Sequence, residues 1–237
     1  MKPDPTFLGA TPYVDKDHPN IVAQVAQLTA DLGDDASKVM AIFHFVRDKI
    51  KFGFANGFWD NKASDVLRSG KGYCNTKSTL FVAMLRRANI PARQVFVEID
   101  ATVLRGILDP GTPFVDHSYV EVKLADEWIA TDAYIVDAPL FDAASALLER
   151  EGALLGYGVH RTGTRDWDGK TPAFAQYNML DPSPIGTKRW GVFADVGAFY
   201  RAADAPWNKL NGITRAAVGL FAAPANRRAD DLRQERG

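Results

Sequence analysis

Apolar positions recur at helical spacing through the first fifty residues. Asp17-His18-Pro19-Asn20 offers a helix start with Asn20 as N-cap, Ile21, Val25 and Leu28 form one face, and Leu32-Gly33 closes the segment. A second helix is expected from about Asp35 to Ser37, with Val39, Ile42, Phe43, Val46 and Ile50 as its stripe. The aromatic, glycine-containing run from Phe52 to Asn61 reads as a packed loop, and a short helix is expected over Ala63 to Arg68. From Asn75 to Ala88 the pattern changes. Leu80 to Leu85 are apolar almost all round, as in a helix buried on most sides. Gln94 to Ile99 is rich in β-formers, and residues 117–124 and 127–132 alternate as two further strands.

Beyond Asp137 the pattern weakens. A helix is expected over Ala143 to Arg150, and two more over Phe193 to Ala202 and Asn211 to Phe221. Gly152 to Thr187 is rich in glycine, proline and aromatics, and reads as irregular cover over a site. The charged segment from Ala225 to Gly237 reads as a frayed tail with Arg227, Arg228, Arg233 and Arg236 solvated. The expected organisation is one domain over 1–237. Its core spans about 20–137, cover and C-terminal helices about 138–224, and the tail 225–237.

Composition narrows the function classes. Among 237 residues, 46% are hydrophobic and 24% charged, as in an ordinary globular protein. With 28 basic and 29 acidic residues, the net charge of −1 removes the main electrostatic reason to expect a nucleic-acid partner. No apolar stretch is long enough for a membrane span, and the first residues hold no apolar core of signal-peptide length. Cytoplasm is the expected location. Metal chemistry has no motif: there is no Cys-x-x-Cys, no His-Glu-x-x-His and no acidic calcium loop. No cofactor is expected, and the oligomeric state is left open.

Chemistry gathers around the one cysteine, Cys74. A lone cysteine in such a protein is most often a small buried hydrophobe. Here, however, it follows Gly72-Tyr73 and opens the buried helix. At a helix N-terminus the positive end of the dipole favours a thiolate, and the first-turn amides can hold an oxyanion. A thiolate nucleophile needs an imidazole, and the imidazole an orienting acceptor. Of four histidines, His18 lies in a capping turn, His44 beside an apolar stripe and His160 in the irregular region. His117 opens the alternating strand His117-Ser118-Tyr119-Val120-Glu121-Val122, and Asp132 ends the returning strand Trp128-Ile129-Ala130-Thr131-Asp132.

These blocks, in this order, resemble the transglutaminase-like superfamily of Cys-His-Asp acyl-transfer enzymes. The carriers are Gly72-Tyr73-Cys74, the helix end Met84 to Arg93, the His117 strand and the Asp132 strand, with Ala41 to Ile50 similar to the upstream helix of that family. The small bacterial members are the nearer likeness, since no flanking β-sandwich domains are visible. The resemblance implies an α+β, papain-like core, its central helix bearing the cysteine and packed on an antiparallel sheet. It also implies roles. Cys74 is the nucleophile, His117 the base and later acid, and Asp132 the residue orienting His117. The reaction is attack on an amide to give a thioester acyl-enzyme. Water or an amine then takes the acyl group, so peptidase, amidase and transamidase activity all fit. The substrate would be a peptide, a protein or a small amide. An amide-forming acyltransferase fed by a thioester donor uses the same triad. A non-catalytic binding protein on this scaffold is the further alternative, favoured if Cys74 is buried and His117 far from it.

Strand geometry sets a condition on the triad. For His117 and Asp132 to lie directly opposite, Val122 must face Glu127, leaving the loop Lys123-Leu124-Ala125-Asp126. A tight turn at Asp126-Glu127 would put Asp132 opposite Glu121, about 13 Å along the strand from His117. The longer loop, or an equivalent bulge, is therefore expected, and a tight turn without a bulge is expected to break the triad as drawn. Among weaker candidates, Trp59 either walls the site, with its indole N–H on the oxyanion, or simply packs. Tyr73 either lines the acyl pocket or packs. Asn75 reads as a capping residue. Asp116 and Asp137 are alternative acids, with Asp116 on the opposite strand face from His117.

Overall fold

The structure is a computed structural model that describes residues 6–176, 185–202 and 212–234. The helical patterning at the start of the chain is realised as α1 (Pro19–Thr29) and α2 (Asp35–Lys49). His18, not Asn20, caps α1: its Nδ1 accepts from the Asn20 amide at 3.2 Å, and Pro19 takes the first helical position, where no amide is needed. Asp34 caps α2 by accepting from the Ser37 amide at 2.9 Å. β1 (Lys51–Phe52) and β2 (Lys71–Gly72) form a short parallel pair around α3 (Ala63–Ser69). Then comes α4 (Cys74–Arg87), in which every residue from Cys74 to Arg86 is buried. Its far half is apolar, as the pattern required. Its first two turns are polar and meet polar partners.

After α4 the chain forms β3 (Ala92–Asp100), β4 (Phe114–Leu124) and β5 (Glu127–Thr131). It continues through α5 (Ala138–Glu151), the short ribbon β6 (Leu155–Gly156) and β7 (Val159–His160), then β8 (Ile185–Val192), α6 (Val196–Arg201) and α7 (Gly212–Gln234). The main sheet has the order β5-β4-β3-β8 and every pairing in it is antiparallel. α1, α2 and α3 pack on α4 from one side while β3 and β4 pack on it from the other. The fold is thus α+β, with one helix enclosed between helices and a sheet. Among the described residues, no helix is long and apolar enough to cross a membrane.

Polar groups tie α4 to the sheet. Gln94 donates to Ser118 Oγ at 2.8 Å and to the Asn75 carbonyl at 3.1 Å, and Ser78 Oγ lies 2.6 Å from Tyr134 Oη. Each of these groups is buried and each finds a partner, so the contacts fix how α4 sits on the sheet rather than weakening the core.

The hairpin between β4 and β5 corrects the expected register. Leu124 faces Glu127, and Ala125-Asp126 make a tight turn with φ of 47° and 69°. Both positions are left-handed, as in a type I′ turn, for which Asn-Gly is the usual signal. Ala-Asp carries no such signal, and the longer loop is expected only because a directly opposite His117–Asp132 pair requires it. The ladder ends at Val120 facing Thr131. Asp132 therefore comes one step beyond the ladder and lies diagonal to His117 instead of opposite it, a separation that side chains still span.

The C-terminal expectation is also corrected. Residues 225–234 are not a frayed tail but the end of α7, with Ala225, Ala229 and Leu232 buried. Asn226 pairs with both backbone groups of Phe54, accepting from its amide at 2.8 Å and donating to its carbonyl at 2.9 Å. Arg233 pairs with Asp137 at 2.6 Å and donates to the Phe52 carbonyl at 2.7 Å, and Arg228 donates to the Ile107 carbonyl at 3.1 Å. Arg233 is thus a docking group, while Arg227 and Arg228 are exposed as expected, Arg228 with one hydrogen bond inward, and Arg236 lies outside the described residues. The stretch expected to be irregular from Gly152 contains the β6–β7 ribbon and, at Ala173 to Gln176, contacts that reach Asp132. Its residues 177–184 lie outside the described residues.

Candidate active site

Gly72 prepares the entry to α4. A Cβ there would meet Lys77 Cγ at 2.8 Å and Thr76 Oγ1 at 2.9 Å, so only glycine lets β2 run this close to the first helical turn. Tyr73 is the extended N-cap residue, and its amide donates to Thr76 Oγ1 at 3.0 Å. Cys74 follows as the first residue of the helix and is 8% exposed. It lines a cavity of about 250 Å³ together with His117, Asp116, Tyr73 and Gln176. Apart from Thr112, the remaining walls are aromatic and aliphatic.

His117 and Asp132 are both fully buried, and His117 Nε2 lies 3.0 Å from Asp132 Oδ2. The other carboxylate oxygen of Asp132 accepts from the Ala175 amide at 2.5 Å and from the Gln176 amide at 3.4 Å. The Asp132 amide itself donates to the Ala173 carbonyl at 3.0 Å. Residues 173–176 thus clamp Asp132 on both backbone and side chain. That clamp fixes the carboxylate even though Asp132 has left the strand ladder.

A second buried carboxylate, that of Asp116, lines the same cavity. Asp116 Oδ2 accepts from Asn75 Nδ2 and from the Tyr200 hydroxyl, each at 2.6 Å. Cys74 Sγ lies 3.7 Å from Asn75 Oδ1. Asp116 and His117 line the same cavity, and the carboxylate at 3.0 Å from the imidazole is that of Asp132. Asp137 is engaged elsewhere. It accepts from the Phe52 amide at 2.9 Å and pairs with Arg233. Burial raises its carboxyl, but Arg233 outweighs this and holds it below the ordinary value.

The thiol does not behave as the helix terminus alone suggests. Burial pushes it well above its ordinary value and Asp116 adds to the rise, while the Ser118 and Asn75 amides pull it down by less. Taking the sulfur out of water thus outweighs those two amides. A positive charge beside the sulfur would favour the thiolate.

Trp59 is not among the residues lining the cavity. Its ring stacks on Tyr200 at 4.4 Å and tilts against Tyr13 at 6.3 Å, so it backs the Asp116–Tyr200 contact. Tyr73 does line the cavity and stacks on Phe58 at 4.7 Å. Asn75 is more than a cap, since it links Asp116, Tyr200 and the cysteine. Tyr200 and Gln176 carried no sequence signal, because their place depends on α6 and on the segment after β7 folding back. His44 and His160 lie elsewhere. Burial, and then Arg47, hold the His44 imidazole below its ordinary value, while His160 Nδ1 accepts from the Thr162 amide at 3.1 Å. Among the described residues, no group of three or more His, Cys, Asp or Glu side chains is placed to hold a metal ion.

A buried cysteine opening a helix, set against a His–Asp pair on an antiparallel sheet, is the α+β architecture of a papain-like core. Residues 22–133, just under half of the chain, match the profile of the transglutaminase-like superfamily. No curated protein is similar enough to match. Among solved structures, a proposed cysteine protease from Cytophaga hutchinsonii is 20% identical with a TM-score of 0.43, over 52% of this chain and 39% of that one. A proposed protease from Parabacteroides distasonis is 19% identical with a TM-score of 0.36, over 47% of this chain and 22% of that one. The matched region is therefore well under half of each of those longer chains.

Proposed function

We propose that the protein is a cysteine acyl-transfer enzyme working through a thioester on Cys74. The observation that carries this reading is the buried His117–Asp132 pair on the same cavity as a helix-opening cysteine. Asp132 holds His117 through Nε2, which leaves Nδ1 as the nitrogen that exchanges a proton with the thiol. Proton transfer from sulfur to imidazole creates the thiolate and its compensating charge in one step, which suits a thiol that burial keeps neutral. The sulfur then attacks the acyl carbon. The C–S bond forms, and the carbonyl oxygen takes the electron pair beside the amides of the first helical turn. Collapse of that intermediate breaks the bond to the leaving amine, which takes the proton from His117. Water or an acceptor amine, deprotonated by His117, then releases the acyl group and frees the thiol. The near-complete burial of Cys74, which on its own would favour a binding protein, is offset by its sharing of one cavity with His117.

The test uses p-nitrophenyl acetate as an activated acyl donor. The expected result is a burst of p-nitrophenolate and an acetyl adduct on Cys74 by intact mass, both absent in Cys74→Ala. Decay of the adduct in buffer against buffer plus a primary amine separates hydrolase from transferase, and we favour hydrolysis because an acceptor-amine site has no signature in the sequence and water is always available as acceptor. No adduct on Cys74 at any pH overturns the reading.

A further inference from the structure

The cavity beside Cys74 carries a statement about the acyl donor. Its lining residues with polar groups are Cys74, Asp116, His117, Gln176, Thr112 and Tyr73, with no lysine or arginine among the described lining residues. One wall is a set of rings: Phe54 and Phe58 stack at 6.0 Å and Phe58 stacks on Tyr73 at 4.7 Å, with Phe52 beside Phe54. The facing wall is aliphatic, from Ile99, Val103, Leu104, Leu108 and Val115. A dry cavity of about 150 Å³ with such walls takes a benzene ring. At about 250 Å³ this one holds a ring together with its link to a carbonyl group. A small side chain would leave much of that volume empty, which forfeits contacts on every wall.

The ring wall is also held in place from outside. Asn226 and Arg233 of α7 bind the backbone of Phe54 and Phe52, and Arg228 binds the carbonyl of Ile107, beside Leu108 on the aliphatic side. A pocket whose two walls are tied to one helix keeps its width, and a pocket of fixed width selects by shape.

We propose that the donor presents a neutral apolar group of ring size, such as a benzyl or branched alkyl side chain, to this cavity while Cys74 attacks the adjoining carbonyl. This rests on the reading of Cys74 as nucleophile and names the substrate class of that same site. A carboxylate or phosphate on this group finds no cation among the described lining residues. A carboxamide side chain would lose its water without a full set of partners. An amine is the one polar group the lining favours, through Asp116, although the Asp116 carboxylate already accepts from Asn75 and Tyr200.

The experiment compares chloromethyl ketones of N-acetyl amino acids on the full chain. In each, the Cys74 thiolate displaces chloride, the thiol proton goes to His117, and a C–S bond replaces C–Cl. The probes carry benzyl, carboxamidoethyl or aminobutyl side chains, and iodoacetamide is the reference without a side chain. The benzyl probe should inactivate about 10- to 100-fold faster than the carboxamidoethyl probe, the range expected for burying one aromatic side chain. Leu108→Trp, which fills the cavity, should bring that ratio close to one. Thermal melting shows whether this variant is folded, and the probe series on the unaltered protein decides the question by itself. Equal rates, or a faster carboxamidoethyl or aminobutyl probe with Cys74 still labelled by iodoacetamide, overturn the inference and leave the nucleophile standing. Failure of every reagent at Cys74 defeats both.

Discussion

At the scale of single residues, the site is set by two carboxylates with opposite tasks. Asp132 meets the imidazole and is itself clamped by the Ala175 amide. Asp116 meets the amide of Asn75 and lifts the thiol. The two substitutions to asparagine should therefore diverge. Asp132→Asn puts an amide where both neighbours need an acceptor, and the rate of acyl-enzyme formation should fall about 10²- to 10⁴-fold, measured as the p-nitrophenolate burst rate. Asp116→Asn keeps an oxygen for Asn75 and Tyr200 while removing the negative charge. The alkaline limb of Cys74 alkylation should then move to lower pH, since the charge that raised the thiol is gone. Cys74 and Asp132 were legible as candidates because they sit at element boundaries that the patterning marks, whereas His117, expected to open its strand, lies inside β4, which starts at Phe114. The direction of the thiol shift was not legible, because burial is a property of the packed molecule and the helix end is only one contribution to it.

At the scale of elements, the helical and strand patterning carried the core from α1 to β5, where amphipathic spacing and β-formers agree. The exceptions share one cause: local signals that were absent or shared by two outcomes. Ala125-Asp126 adopts a turn that its residues do not advertise, and α7 continues through a segment whose arginines read as solvated. The docking of α7 gives a sharp prediction. Arg233 and Asp137 are paired with little exposure of either side chain, and removing one partner leaves the other as a buried uncompensated charge. Arg233→Met should cost about 3–5 kcal/mol in urea unfolding. Arg68→Ala, whose pair with Asp65 lies on the surface, should cost under about 1 kcal/mol.

For the molecule as a whole, the buried lysine of the central helix makes stability depend on pH. Lys77 is completely buried, donates to the Arg47 and Ile50 carbonyls at 3.2 and 2.5 Å, and is pushed down by burial from 10.5 to about 7, with Asp137 opposing the change. Above about pH 7 the folded chain releases a proton that the unfolded chain keeps, so this group favours folding increasingly as pH rises. Below that pH its burial penalty is complete. From about pH 9 upward the raised Cys74 thiol acts in the opposite direction, because the unfolded chain then loses a proton the folded one retains. Unfolding free energy should accordingly rise between about pH 7 and 9, by up to roughly 1.4 kcal/mol per pH unit, and Lys77→Met should flatten that rise. A slope that survives the substitution would place its source elsewhere.

The central claim, that a neutral thiol and a held imidazole exchange one proton, is tested most directly by the pH profile of Cys74 alkylation by iodoacetamide in the unaltered protein and in His117→Gln. The account predicts a reactive plateau near neutral pH in the first. In the second, only a limb should remain, displaced to high pH by the burial of the sulfur. Superimposable profiles would show that the imidazole takes no part in ionising the cysteine.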